Sequence, residues 1–96
     1  MKVQNMTSER TGREVANQFI IIDDQGNTYF QSYNTIIAKR EPFTPDKRDR
    51  QVYLDENAWD YSKTTGKYRN QFLGETKKET EAKIKAGIYE LVDLNS

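Results

Sequence analysis

The order of the predicted elements constrains the fold more than any other feature of this sequence. Strand-like segments fill most of the first half of the chain, and two helices with clear start and stop signals follow in the second half. A last strand-like segment covers residues 88–94. Because strands followed by helices are typical of α+β domains, we expect a small antiparallel sheet of about four strands, in the order β-β-β-α-α-β, with two helices packed on one side.

The predicted strands are recognised by β-branched and aromatic residues between turn signals. Residues 15–23 contain the apolar run FIII, and the turn-forming sequence DQGN follows at residues 24–27. Residues 28–40 are predicted to pair back as a second long strand, and residues 51–54 form a short third one. Alternation along the second strand places one set of side chains on a common face: Tyr29, Gln31, Tyr33, Thr35 and Ile37.

Both predicted helices carry terminal signals. Ser62 or Thr64 is suited to cap the first helix, and Gly74 is suited to the left-handed conformation that ends it. The second helix opens with the capping-box sequence TKKE, from Thr76 to Glu79. One stripe of the first helix has the spacing i, i+4, i+7 and i+11: Tyr61, Thr65, Tyr68 and Phe72.

The polar composition of the amino-terminal segment divides the chain into two parts. Residues 1–14 are predicted to be a flexible amino-terminal arm, and residues 15–96 a single α+β domain. The sequence has no cysteine, no long apolar run and no secretory signal, so we expect a cytosolic protein with no membrane contact. The formal net charge is zero, which argues against a protein that coats nucleic acid non-specifically.

The residues that most enzymes use for catalysis are scarce. Without histidine or cysteine, the chain lacks the commonest general base, the commonest nucleophile pairs and the commonest metal ligands. The acidic pair Asp23–Asp24 starts a turn, and the pair Asp55–Glu56 ends a strand before a helix. We therefore expect a protein that is not an enzyme and that binds no metal or cofactor.

The segment of residues 59–72 is the main candidate for a binding surface. It contains the one tryptophan, and residues 61–73 carry cations without any carboxylate. Aromatic rings can stack on unpaired bases while lysine and arginine meet phosphates, which indicates a module that binds single-stranded nucleic acid. This hypothesis assigns binding to Tyr61, Lys63, Lys67, Tyr68 and Arg69.

Two alternatives stand beside this hypothesis. The pattern also predicts a hydrophobic core formed by Trp59, Tyr68 and Phe72, because the one tryptophan of so small a domain is more often a core residue than a platform for a ligand. In that case the neighbouring cations form the solvated outer face of the helix. The proline-containing loop of residues 41–50 is a second basic candidate. Its cations that we assign to binding are Lys47, Arg48 and Arg50.

Three segments carry a resemblance to a known family. They are VYLDENAWDYSKTTGKYRNQFLG (residues 52–74), TYFQSYNTIIAK (residues 28–39) and KIKAGIYELVDLN (residues 83–95). Together they resemble small uncharacterised proteins from bacteriophages and mobile elements of Gram-positive bacteria. The resemblance implies a small accessory protein of a mobile element, and such proteins often act by binding host machinery.

A comparison with one class of such accessory proteins suggests a more specific function. Inhibitors of CRISPR effector nucleases are similar in general terms, being short, poor in cysteine and without catalytic residues. We therefore expect a non-enzymatic protein that inhibits a host defence nuclease, most readily a type II CRISPR effector, by binding the nuclease or its guide RNA complex. The alternative is a small single-stranded nucleic-acid binding module. Either protein is expected to be a monomer or a homodimer.

Overall fold

The computed structural model describes residues 1–45 and 50–96. Those residues form one six-stranded sheet and two helices. The strands are β1 (Lys2–Thr7), β2 (Glu14–Ile22), β3 (Thr28–Ser32), β4 (Thr35–Arg40), β5 (Val52–Asp55) and β6 (Tyr89–Val92). The helices are α1 (Lys63–Leu73) and α2 (Lys77–Lys85), and both lie between β5 and β6 in the chain.

The predicted sheet of about four antiparallel strands is wrong in strand number and in direction, although the α+β class agrees. The strands lie in chain order from β1 to β6, and β6 runs parallel to β5. Parallel neighbours need a crossover connection, and the two helices provide it. One additional strand, β1, lies in the segment expected as an arm and pairs with β2. Its residues are mostly polar, so the sequence pattern does not predict a strand there.

The second additional strand arises because the predicted long strand of residues 28–40 is a hairpin. Its turn contains Tyr33, which has a positive φ of 55° and whose N–H donates to the Asn17 carbonyl at 2.7 Å. A non-glycine residue seldom adopts this conformation, so the sequence pattern did not show the turn. A bulge follows in β4, and the successive residues Ile37 and Ala38 are both fully buried.

The helices pack against one face of the sheet. The ring of Phe72 in α1 stacks on Phe30 of β3 with the ring centroids 5.9 Å apart. Phe30 pairs with Ala38, and Ala38 pairs with Leu54, so these side chains share the helix-facing side. Met6 of β1 belongs to the same core and is 3% exposed. The amino-terminal strand therefore contributes to the core of the domain.

The helix termini match the sequence signals. Ser62 caps α1 by accepting a hydrogen bond from the Thr65 N–H, and Gly74 ends it in the left-handed conformation. The predicted capping box of α2 is confirmed, because Thr76 and Glu79 each bond the other's backbone N–H. Charged and polar caps of this kind satisfy backbone groups that the helix itself leaves unpaired.

A buried carboxylate joins the helices to the last strand. Glu75, between α1 and α2, accepts hydrogen bonds from Thr80 Oγ1 at 2.7 Å, Lys83 Nζ at 2.9 Å and Tyr89 Oη at 2.5 Å. Its side chain is 4% exposed. Burial alone favours the neutral acid, yet these hydrogen bonds hold the pKa of Glu75 below its usual value. Burial and the Glu75 carboxylate raise the pKa of Tyr89 to about 12.

The raised pKa of Tyr89 makes the free energy of unfolding depend on pH in the alkaline range. Because the pKa of Tyr89 is higher in the folded than in the unfolded protein, its contribution is complete below about pH 10 and is lost as the pH approaches 12. We expect Tyr89→Phe to lower the free energy of unfolding by about 1–2 kcal/mol at pH 8. The difference from wild type should shrink towards pH 12 in urea unfolding. A difference that stays constant over this range would contradict the assignment.

The stacked pair of phenylalanines predicts a large effect of truncation. Phe72→Ala removes a ring that is 7% exposed, so the free energy of unfolding should fall by about 3–5 kcal/mol. Tyr61→Ala is the matched control, since Tyr61 is 51% exposed in the same segment and should change stability by less than about 0.5 kcal/mol. Equal losses for the two variants in chemical denaturation would disprove the packing described here.

Candidate functional site

The face of the sheet that points away from the helices carries a row of side chains, one from each strand. Each member is directly paired with the next across the sheet. Side chains of directly paired residues lie on the same face of a sheet, so the six form a continuous line. This sheet-face row consists of Val3, Ile21, Tyr29, Lys39, Tyr53 and Glu90.

Lys39 sits between two tyrosine rings at the centre of the row. Its Nζ atom lies 5.9 Å from the ring centroid of Tyr29 and 5.7 Å from that of Tyr53. Both distances are within the range of cation–π attraction. All three side chains are partly buried, so the rings and the cation hold one another in place on the surface.

Carboxylates fix the far ends of both rings. The hydroxyl of Tyr29 donates to Asp23 at 3.0 Å, and the hydroxyl of Tyr53 donates to Glu41 at 2.7 Å. Burial and the Asp23 carboxylate raise the pKa of Tyr29, and the hydrogen bond to Glu41 raises the pKa of Tyr53. Hydrogen bonds from Asn27 and Tyr29 hold the pKa of Asp23 below its usual value, so Asp23 stays ionised at neutral pH.

The row is accessible. In the described part of the chain, no helix or further sheet lies over this face, because both helices pack on the opposite one. Val3, at the β1 end, is 57% exposed, and Glu90, at the β6 end, is exposed. The arrangement is a surface with aromatic residues at its centre, an aliphatic end and an acidic end, all on regular strands.

A groove on the helical side contains several of the residues singled out from the sequence. It has a volume of about 1210 Å³ and lies between the β1–β2 turn, the start of α1 and the start of α2. Tyr61, Lys63 and Lys67 line it and are exposed. Its charges are mixed: the cations are Arg10, Lys63, Lys67, Arg69 and Lys77, and the acids are Glu9, Asp60, Glu75 and Glu79.

Arg69 has a structural position in this groove. Its side chain is 1% exposed, and its guanidinium donates to the Trp59 carbonyl at 2.7 Å, to Asp60 at 3.2 Å and to Asn70 at 2.9 Å. It also lies over the Trp59 ring at 5.2 Å. Asp60 also forms an ion pair with Lys77, whose Nζ atom lies 2.8 Å from Asp60 Oδ2. Burial opposes ionisation of Asp60, but the bonds from Lys77 and Arg69 hold its pKa below the usual value.

The residues assigned to binding from the sequence do not form one site. Tyr68 and Arg69 are buried, while Tyr61, Lys63 and Lys67 share the groove. Arg50 lines a different pocket, and Lys47 and Arg48 lie outside the described residues. The concentration of aromatic and basic residues in the segment of residues 59–72 therefore has a partly structural cause: the Trp59–Arg69 contact and the packing of Tyr68 and Phe72 on the core.

The sheet-face row was missed from the sequence. Alternation along residues 28–40 correctly places Tyr29 on one face with Gln31, but the bulge at Ile37 breaks the continuation of that face. The partners from β1 and β6 come from opposite ends of the chain, and local periodicity does not show which strands are neighbours.

Among the described residues, neither a cluster of metal ligands nor a membrane-spanning helix is found. In residues 1–45 and 50–96, no group of three or more acidic side chains is placed to hold a metal ion. No helix in that part of the chain is both long and apolar enough to cross a membrane.

The burial of Arg69 predicts a stability defect. Arg69→Ala leaves the Trp59 carbonyl without its side-chain donor and Asp60 with Lys77 as its remaining cation, so the free energy of unfolding should fall by about 2–4 kcal/mol. Lys63→Ala, an exposed cation of the same groove, should change stability by less than about 0.5 kcal/mol. If thermal and urea unfolding give the same small effect for both variants, Arg69 does not hold this connection.

Comparison with known proteins identifies a family. No curated protein and no solved structure matches the chain at a significant level. One family model, described as a family of unknown function (DUF8033), matches residues 1–87. The match begins before β1 and ends after α2, so it includes five of the strands and both helices. The chain belongs to this family of unknown function.

Proposed function

We propose that the protein is a non-enzymatic accessory protein of a phage or mobile element that binds and inhibits a host defence nuclease in the bacterial cytosol. The nuclease that we propose first is a type II CRISPR effector. The sequence resemblance supports the mobile-element context, and the sheet-face row supports binding as the mode of action. The row is the single observation that carries the proposal.

The row has the properties of a protein-binding surface. Tyrosine is enriched at interfaces and often contributes a large share of the binding energy. Tyr29 and Tyr53 are held by Lys39 and by carboxylates before any partner binds, so little side-chain freedom is lost on association. The strands keep their positions relative to one another, which favours a precise fit.

Charge favours a basic partner. Asp23 is ionised next to Tyr29, and Glu90 ends the row as an exposed carboxylate. Effector nucleases guided by RNA hold nucleic acid in a positively charged channel. An acidic surface with aromatic anchors suits such a channel, where it would exclude the nucleic acid. This is the mechanism of inhibition that we propose.

The same charges disfavour direct nucleic-acid binding by this face, because carboxylates next to the rings repel phosphates. The nucleic-acid hypothesis built on residues 59–72 loses two contacts, since Tyr68 and Arg69 are buried. Binding of single-stranded nucleic acid by the protein alone therefore serves as an outcome of the experiment below and is not proposed as the function.

The test is a cleavage assay with a purified type II effector nuclease and its guide RNA. Wild-type protein should inhibit cleavage of target DNA, and the double variant Val3→Lys, Glu90→Lys should inhibit at least about tenfold less strongly. These positions are exposed at the two ends of the row, so the added cations repel a basic partner without disturbing the core. Binding of the effector complex by surface plasmon resonance gives a second readout.

The matched control reverses two exposed cations of the groove. Lys63→Glu, Lys67→Glu should inhibit as wild type does, because neither side chain lies on the sheet-face row. Equal inhibition by wild type and by the row variant would overturn the proposed surface. Absence of inhibition, together with salt-sensitive binding of single-stranded nucleic acid that the groove variant loses, would replace the proposal with the nucleic-acid alternative.

A further inference from the structure

A second pocket lies where the starts of β5 and β6 meet the junction of the two helices. It has a volume of about 490 Å³, within the range of pockets that bind small organic ligands. Arg40 and Arg50 line it together with apolar side chains. Two of these apolar side chains are unusually exposed, with Phe43 at 68% and Ile88 at 56%. The pocket thus combines a strongly basic part with an apolar opening.

Arg40 is incompletely satisfied by the protein. One of its Nη atoms donates to the Phe72 carbonyl at 3.3 Å, and the guanidinium lies over the Phe72 ring at 4.7 Å. Its Nε atom is buried and has no hydrogen-bond partner among the described residues. Burial and the nearby charge of Arg50 lower the pKa of Arg40 from its usual value. A buried donor without a partner is unfavourable, and a guanidinium has five donors to satisfy.

Arg50 adds a second cation to the same pocket. Its Nε donates to the Glu41 backbone carbonyl and its Nη2 to Thr28 Oγ1 at 3.3 Å. Both partners are neutral, so these bonds orient the guanidinium without neutralising it. In the described part of the chain, neither Arg40 nor Arg50 forms an ion pair with a carboxylate. Two like charges in one partly buried pocket attract an anion.

The other charges that line the pocket among the described residues belong to one ion pair. Lys83 pairs with Glu75 at 2.9 Å, and Glu75 also accepts from Tyr89, so this carboxylate is occupied. The pocket keeps the positive charge of the two arginines. Arginine is suited to bidentate contacts with planar oxyanions such as carboxylates. The apolar walls, which include Val52 and Leu73, favour a ligand whose anionic group is attached to an apolar body.

We propose that this pocket binds a carboxylate carried by an apolar group, with the carboxylate between Arg40 and Arg50 and the apolar group against Phe43 and Ile88. Two sources share this chemistry: a free apolar organic acid, and the terminal carboxylate of a peptide that ends in an apolar residue. The proposal does not rest on the proposed function, because the pocket and the sheet-face row lie on different sides of the sheet.

Benzoate is the first probe, titrated into the full-length ¹⁵N-labelled protein and followed by NMR. We expect amide shifts at Phe43, Val52 and Ile88 and a dissociation constant below about 5 mM. Benzyl alcohol, which has the same ring without the charge, should bind at least about tenfold more weakly. Absence of benzoate shifts up to about 20 mM, or shifts located elsewhere, would overturn the proposal.

Variants test the role of the arginine. Arg40→Met keeps an apolar stem against Phe72 and should weaken benzoate binding at least about tenfold. Arg13→Met is the matched control, because Arg13 is exposed and does not line the pocket, and it should leave the affinity unchanged. An unchanged affinity in Arg40→Met would overturn the assignment. The wild-type titration is decisive on its own if this variant does not fold.

A second experiment, with a peptide, distinguishes the two sources of the carboxylate. A short acetylated peptide ending in phenylalanine is compared as the free acid and as the amide. Tighter binding of the free-acid peptide than of benzoate, with loss of binding in the amide, supports a peptide terminus as the ligand. Tighter binding of benzoate supports a small organic acid. Equal binding of the acid and the amide, without any benzoate binding, would show that the arginines do not recognise a carboxylate.

Discussion

The buried guanidinium of Arg69 joins the chain that leaves β5 to the helix that follows it, and the helical layer depends on this contact. By bonding the Trp59 carbonyl and Asp60, it ties α1 to the connection that precedes it. The same helix carries Phe72, which stacks on Phe30, and the helix that follows it packs near β6. A buried cation is unfavourable unless its donors are used, so the contact also selects one arrangement of this connection.

The position of the helices determines what remains for binding. With both helices on the Phe30 side, no helix among residues 1–45 and 50–96 covers the opposite side of the six-stranded sheet. A half-open sheet needs polar or mutually supporting side chains on its free face, and Tyr29, Lys39 and Tyr53 meet this need through their own contacts. The same contacts give the surface a definite shape. Stability and the proposed binding of a partner would therefore place similar demands on these residues.

Local signals predicted the local structure well. The cap of α1, the capping box of α2 and the turn between β2 and β3 depend on neighbouring residues, and the structure contains all three. Features that depend on distant residues were not predictable. The parallel pairing of β6 and the positive φ of Tyr33 each follow from contacts with other parts of the fold. The candidate site is of this second kind, because its row crosses all six strands.

The strand pairings differ greatly in how far apart their partners lie in the chain. The first five strands form a meander in which each strand pairs with the next, whereas Val52 of β5 pairs with Tyr89 of β6 across a connection that contains both helices. Closing so long a loop is slow relative to forming hairpins. We therefore expect β6 to dock late during folding and to exchange its amide hydrogens sooner than β3 or β4, so that one edge of the sheet opens while the rest of the domain stays folded.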